Sequence, residues 1–169
     1  MQFYTKNMVK IDSLIKEGKL SKISELELER YVNFFIHSYQ DNLRHCQAVM
    51  ESFPRWSIIS GYYAMHDITK LLLSKKFRLK VELEVHATTI KVLKELIQNK
   101  EIQMLIEKGY QEFIFLANDL TEAKKESVKS QYYTGTKYLA REYQHRAKSF
   151  LKELVEPYLV KINILLEEQ

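Results

Sequence analysis

The sequence is poor in the residues that make tight turns, with two prolines and four glycines among 169 residues. Together they form roughly 4% of the chain, against about 12% in an average protein. Hairpins and bulges depend on these residues, so the composition argues against a β-sandwich, barrel or propeller. Glycine-rich phosphate loops are excluded, because neither GxGxxG nor GxxxxGK[ST] occurs anywhere in the sequence.

Cysteines, long apolar runs and a secretory start are also missing. The single cysteine, Cys46, excludes an internal disulfide and a multi-cysteine zinc site. No apolar run approaches the length of a membrane span, and the first residues lead into no apolar signal region. These absences predict a soluble cytoplasmic protein with no membrane contact. The net charge of +4 permits weak attraction to nucleic acid but does not demand it.

The residues that are abundant favour helices. Hydrophobic residues make up 46% of the chain, which is enough for a core in a single domain spanning residues 1–169. A capping box of Ser24 and Glu27 opens a helix whose apolar stripe runs on to Met50. The next helix, which we expect Ser57 to cap, carries two adjacent stripes and encloses Gly61, so it should be central. The pattern predicts an all-α, up-and-down bundle of five or six helices.

Three further features set the expected boundaries. Residues 74–84 should form a loop or a short helical turn, because the alternation that begins at Leu79 has no apparent partner strand. Gly109 is well placed to end a short helix as its C-terminal cap. Pro157 should kink the last helix or thin its hydrogen bonding near Glu153.

The expected central helix carries polar side chains that a buried position must satisfy. These residues are Tyr62, Tyr63, His66, Asp67 and Lys70. In one interpretation they form an internal network, with Asp67 paired to Lys70 and the tyrosine hydroxyls bonded across helices. In the other they form a polar seam at a ligand groove or an oligomer interface. Both interpretations stay open at the level of sequence.

Metal and nucleophile motifs are weak. None of the five histidines belongs to an H-E-x-x-H motif, and Glu142 with His145 gives one copy of a Glu-x-x-His spacing that a di-iron site needs twice. His45 precedes Cys46, but neighbouring residues on a helix point in different directions, so His45 is a poor base for the thiol. Cys46 is therefore predicted to be a small buried hydrophobe. We expect neither a metal site nor a cofactor.

The segment from Trp56 to Asp67, continued by Lys70–Leu73, resembles the central helix of the HEPN domain family. The similarity covers about residues 43–155, within a HEPN-like core of about 24–166. Further points of similarity are a basic loop, a histidine that opens the next helix and a later tyrosine pair ahead of a closing helix. They are Lys75, Lys76, Arg78, Lys80, His86, Tyr132 and Tyr133.

This resemblance implies a helical bundle that is usually a homodimer. Many members are encoded beside a small nucleotidyltransferase as toxin–antitoxin pairs, and the active ones are metal-independent endoribonucleases. Their signature is an arginine, four to six residues and a histidine, late in the chain and brought together across the dimer. The late candidates here are Arg141 and His145, separated by three residues. Arg30 and His37 have the spacing but lie in the second helix, where a chance match is expected.

The sequence thus favours a HEPN-like partner module that dimerises and works with a small nucleotidyltransferase, without catalysis of its own. One alternative is a metal-independent endoribonuclease, and another is a structural helical interaction module. The basic residues Lys75, Lys76, Arg78 and Lys80 either contact RNA phosphates or form a solvated loop. Dimerisation is expected through apolar surface on the third and last helices.

Overall fold

The computed structural model describes the backbone of residues 3–127 and 136–168, and side chains within residues 10–118 and 141–168. The Tyr132–Tyr133 segment lies outside these ranges. The helices are α1 (Phe3–Lys16), α2 (Glu25–Val49), α3 (Pro54–Phe77), α4 (Val85–Leu96), α5 (Lys100–Ser127), α6 (Thr136–Phe150) and α7 (Glu156–Glu167). Two short strands are β1 (Leu20–Lys22) and β2 (Leu79–Val81). The predicted all-α helical bundle is confirmed.

Helix α3 passes through the middle of the bundle and contacts α2, α4, α5, α6 and α7. Fifteen of its 24 residues are buried, as its two adjacent stripes predict. Gly61 permits the closest approach of the C-terminal helices. A Cβ atom at this position would lie 3.0 Å from the side chains of Phe150 and Val155, and 3.1 Å from the Cys46 sulfur.

The start of α3 differs from the prediction. The helix begins at Pro54, which is tolerated in a first turn because the N–H it lacks has no partner inside the helix there. The predicted cap at Ser57 is therefore wrong. Ser57 lies inside the helix, fully buried, and its hydroxyl donates a hydrogen bond to the Cys46 carbonyl oxygen at 2.7 Å.

The expectation of an irregular segment at residues 74–84 is also wrong. Helix α3 continues to Phe77, and Arg78 ends it in the left-handed conformation. Strand β2 then pairs antiparallel with β1, with Leu20 opposite Val81 and Lys22 opposite Leu79. The partner strand was missed because it is only three residues long and lies almost 60 positions earlier in the chain. The strand pair covers a small second core with α1, α3 and α4.

Gly109 does not end a helix, since α5 runs unbroken through it from Lys100 to Ser127. Its hydrogen side chain instead makes room for Met65, whose sulfur and terminal methyl would lie 3.0 Å from a Cβ at that position. The prediction at Pro157 holds. A π-helical turn, Leu151–Val155, separates α6 from α7 just before the proline. This turn includes Glu153, whose carbonyl oxygen receives no hydrogen bond from Pro157 because proline has no N–H group.

Candidate functional site

Helix α3 carries the candidate site on the side that faces α4 and α5. Tyr62 and His66 are four residues apart, so their rings lie one above the other on this side of the helix. Both are at most 1% exposed. The surrounding turns of α3 are apolar, and their burial against the neighbouring helices holds these polar rings inside the bundle.

Rings from three helices meet around Tyr62. Its hydroxyl is hydrogen-bonded to Nδ1 of His86, in the first turn of α4, at 2.9 Å. The Tyr62 ring stacks on Phe113 of α5 with centroids 4.6 Å apart, and Tyr63 meets His86 edge-on at 5.8 Å. Tyr110 lies parallel to His86 at 6.1 Å. We refer to Tyr62, Tyr63, His66, His86, Tyr110 and Phe113 as the aromatic cluster.

The cluster suppresses charge on two of its members, His86 and Tyr62. Burial, with further contributions from nearby His66 and Lys70, lowers the pKa of His86 to about 4. Burial likewise raises the pKa of Tyr62 well above its ordinary value. His86 is therefore neutral and Tyr62 protonated near neutral pH, which preserves the hydrogen bond between them.

His66 differs from Tyr62 and His86, which are hydrogen-bonded to each other. Within the described residues, neither of its ring nitrogens has a hydrogen-bond partner. Its Nδ1 lies 3.6 Å from Oδ1 of Asp67, too far for a hydrogen bond, and its ring centroid lies 4.7 Å from that of His86. Leaving a buried polar group without a partner costs about 1–3 kcal/mol. The unpaired ring of His66 therefore lowers the stability of the folded bundle.

Asp67 connects α3 to α2. Its Oδ2 accepts hydrogen bonds from the Ser38 hydroxyl at 2.6 Å and from the Asn42 side-chain amide at 3.0 Å. The expected Asp67–Lys70 ion pair is absent from this described region. Lys70 instead lies over the Phe35 ring, 5.1 Å from its centroid, and burial lowers the pKa of its ammonium. The carboxylate is thus satisfied from the neighbouring helix and not from its own.

The sequence interpretation missed four participants, Ser38, Asn42, Tyr110 and Phe113. Ser38 and Asn42 are four residues apart on α2, so they face α3 together. Tyr110 and Phe113 have the corresponding three-residue spacing on α5. These spacings were visible in the sequence. What the sequence could not show was which helix each pair faces.

The four basic residues that were expected in a loop lie in the last turn of α3, at its C-cap and in β2. Lys75 and Lys76 lie exposed in the last turn of α3, and Lys76 donates to the carbonyl oxygen of Glu168. Arg78 is the C-cap of α3 and pairs with Glu25 at 3.3 Å. Lys80, in β2, pairs with Glu82 at 3.3 Å. Three of the four therefore contact groups of the chain itself.

Arg141 and His145 are both exposed on α6, one turn apart on the same side. Within the described residues, neither forms a hydrogen bond or ion pair that would fix its side chain. A second arginine–histidine pair lies on the outward face of α2. Arg30 and His37 line one shallow groove there, together with Asn33, Phe34, Ser38, Asp41 and Asn42.

Cys46 is buried as predicted, and burial raises the pKa of its thiol. Among the described side chains, no three of the histidine, cysteine, aspartate and glutamate residues cluster closely enough to hold a metal ion. No helix in the described ranges combines the length and apolar character that a membrane crossing requires. Comparisons with protein-family models, curated proteins and solved structures find no match to this chain.

Proposed function

We propose that the protein is a HEPN-like helical partner module that dimerises and works with a small nucleotidyltransferase in a toxin–antitoxin-like pair, without catalysis of its own. The observation that carries this proposal is the one-sided burial of α2. Only Phe35 and Cys46 of its 25 residues are buried, and α3 is its main neighbour in the described bundle. A long helix with a free outward face is suited to association.

The chemistry inside the bundle supports a binding role. The polar groups of α3 are turned towards their own chain, where Asp67 and Tyr62 use their hydrogen-bonding capacity internally. Arg141 and His145 stand exposed with no described neighbour to orient them. Catalytic groups need to be held by surrounding contacts, and the described residues supply none to these two.

Light scattering and a cleavage assay test the two parts of this proposal. The purified chain should be dimeric at tens of micromolar protein and should leave structured RNA intact in EDTA. A monomer would contradict the association part. Cleavage in EDTA that disappears with His145→Ala would contradict the non-catalytic part.

The nucleotidyltransferase part needs its own experiment. The tagged chain, expressed together with its neighbouring genes, should co-purify with a protein that mass spectrometry identifies as a nucleotidyltransferase, in a fixed molar ratio. The same tag on an unrelated helical bundle is the control. Recovery of the chain free of any nucleotidyltransferase would contradict this part.

A metal-independent endoribonuclease is the second candidate, and the groove on α2 favours it. Arg30 could hold a phosphate while His37 moves a proton. The Nδ1 atom of His37 donates to the Asn33 carbonyl oxygen at 2.8 Å, which leaves Nε2 as the ring's site for proton transfer. In this case RNA cleavage in EDTA would be lost with His37→Ala and retained with the matched variant His145→Ala.

A further inference from the structure

The outward face of α2 carries a continuous stripe of exposed side chains. Its members follow one another at intervals of three or four residues, so they lie along a single line on the helix. We call them the α2 stripe: Leu26, Arg30, Phe34, His37, Asp41 and Arg44, all exposed. Leu26 is 96% exposed and Phe34 is 62% exposed, which are high values for large apolar residues.

The stripe is self-complementary about the midpoint between Phe35 and Ile36. Arg30 and Asp41 lie equally far on either side of this point, about 8 Å along the helix axis. Phe34 and His37 are likewise equidistant from it. A basic residue thus mirrors an acidic one, and two flat rings mirror each other.

Arg30 and Asp41 are also on the same side of the helix, because 11 residues leave them only about 20° apart around its axis. A two-fold axis through the midpoint would bring Arg30 against Asp41, and the Phe34 ring against His37, of a second copy. This is the arrangement that a self-complementary dimer interface requires.

We propose that two copies of this chain associate through antiparallel packing of their α2 stripes, an inference that rests on the homodimer proposed above. Arg30 of one copy pairs with Asp41 of the second, and the Phe34 ring of one copy stacks on His37 of the other. Asp41 and Arg44 already contact each other within one copy, with both side chains about two-thirds exposed. Each end of the interface therefore becomes a network of three charged residues, Arg30, Asp41 and Arg44.

Charge complementarity selects a second copy over another occupant. A stripe built for an RNA would be basic along its length, whereas this one alternates in sign. Fifteen of the 24 residues of α3 are buried within the bundle, so this helix offers a second copy less surface than α2 does, although its Trp56 is 59% exposed. The last helix does keep two exposed apolar residues, Val160 and Ile164, and substitutions of Ile164 serve as the control for this interface.

A charge swap tests the pairing. Arg30→Asp and Asp41→Arg, made singly, each place like charges opposite one another at both ends of the interface. Each should weaken dimerisation about tenfold or more at low ionic strength, as measured by sedimentation velocity. The double variant restores opposite charges and should return the dimer to within about threefold of the original. Both residues are exposed, so circular dichroism should show an unchanged fold.

A cysteine cross-link tests the register. Residue 34 lies close to the proposed axis, and the two α-carbons at this position would be about 6 Å apart, within disulfide range. Phe34→Cys should form a disulfide-linked dimer under mild oxidation. Ile164→Cys should not, and buried Cys46 does not compete.

The outcomes separate this inference from the proposed function. A dimer that survives both single charge variants, or that is lost with Ile164→Asp, keeps the homodimer but overturns the α2 interface. A monomeric original chain overturns both. A monomer that binds a nucleotidyltransferase and loses it with Asp41→Arg overturns the self-pairing and assigns the stripe to that partner.

Discussion

Helices α2 and α3 are 25 and 24 residues long and form a hairpin, yet they are buried very differently. Fifteen residues of α3 are buried, against two of α2. Where the two helices meet, Asp67 of α3 is held by two side chains of α2. The difference shows that α3 organises the fold, whereas α2 is attached along one side and leaves the other side exposed.

A matched pair of leucines gives the largest expected contrast. Leu72 of α3 is 1% exposed, and Leu26 of α2 is 96% exposed. Leu72→Ala should lower the free energy of unfolding by about 2–5 kcal/mol, because it leaves a cavity in the main core. Leu26→Ala, measured at a protein concentration low enough to keep the chain monomeric, should change it by no more than about 0.5 kcal/mol. Urea unfolding measures both, and equal losses would break the distinction between the helices.

Two glycine substitutions test how tightly the neighbouring helices pack against α3. Gly61→Ala forces a methyl group against Phe150 and Val155, so we expect a net loss of about 1–2 kcal/mol despite the helix propensity of alanine. Gly109→Ala meets the flexible end of Met65 instead, which can move. Its effect on thermal stability should be close to zero or slightly favourable. A larger loss at Gly109 would mean that Met65 is fixed in place.

The pH dependence of stability should come from His86 of α4, which is hydrogen-bonded to Tyr62 of α3. The pKa of His86 is about 4 in the folded chain, against about 6.5 when unfolded, so the unfolded state binds the proton first. The contribution of neutral His86 to the free energy of unfolding is complete above pH 6.5 and is lost as the pH falls towards 4. We expect a loss of about 1–2 kcal/mol, reduced by the partial exposure of the ring.

Comparison of urea unfolding at pH 6.5 and 4.5 measures this contribution. His86→Gln keeps a group that can hydrogen-bond to Tyr62 but does not titrate, so the difference between the two pH values should shrink. His145→Gln, on the exposed side of α6 and outside the α2 stripe, is the matched control and should leave the difference unchanged.

The smallest effect is expected away from the hairpin. His145 is exposed on α6, so His145→Ala should alter the free energy of unfolding by less than about 0.5 kcal/mol. Thermal melts followed by circular dichroism are sufficient. If the free energy of unfolding fell by more than about 1 kcal/mol, the outer face of α6 would have to be covered in solution and not exposed.

Local patterns predicted the helices and their special residues well. The two stripes of α3, the interior Gly61 and the disturbance before Pro157 all follow from spacing along one helix. The predicted cap at Ser57 failed for a local reason, because the helix already begins at Pro54, whereas two other failures depend on distant segments. β2 needs β1, and Gly109 stays helical because Met65 fills the space beside it.

The candidate site was predictable only in part for the same reason. The polar residues of α3 were recognised by their burial on an apolar helix, but their partners come from α2, α4 and α5. One interpretation of the sequence pairs Lys70 with Asp67 because they are three residues apart, whereas Ser38 and Asn42 satisfy the carboxylate across the helix pair. Local spacing shows which side chains share a face, and tertiary packing decides what that face meets.

The strand pair has a kinetic consequence for the hairpin. β1 lies immediately before α2 and β2 immediately after α3, so the strands close the end of the hairpin opposite its loop. Two further backbone hydrogen bonds, Ile23 N–H to the Arg78 carbonyl and Glu82 N–H to the Lys19 carbonyl, both 2.9 Å, lengthen this closure. Opening of α2 therefore has to start at the loop near residues 50–53, and amide hydrogen exchange should slow progressively from that loop towards the strands.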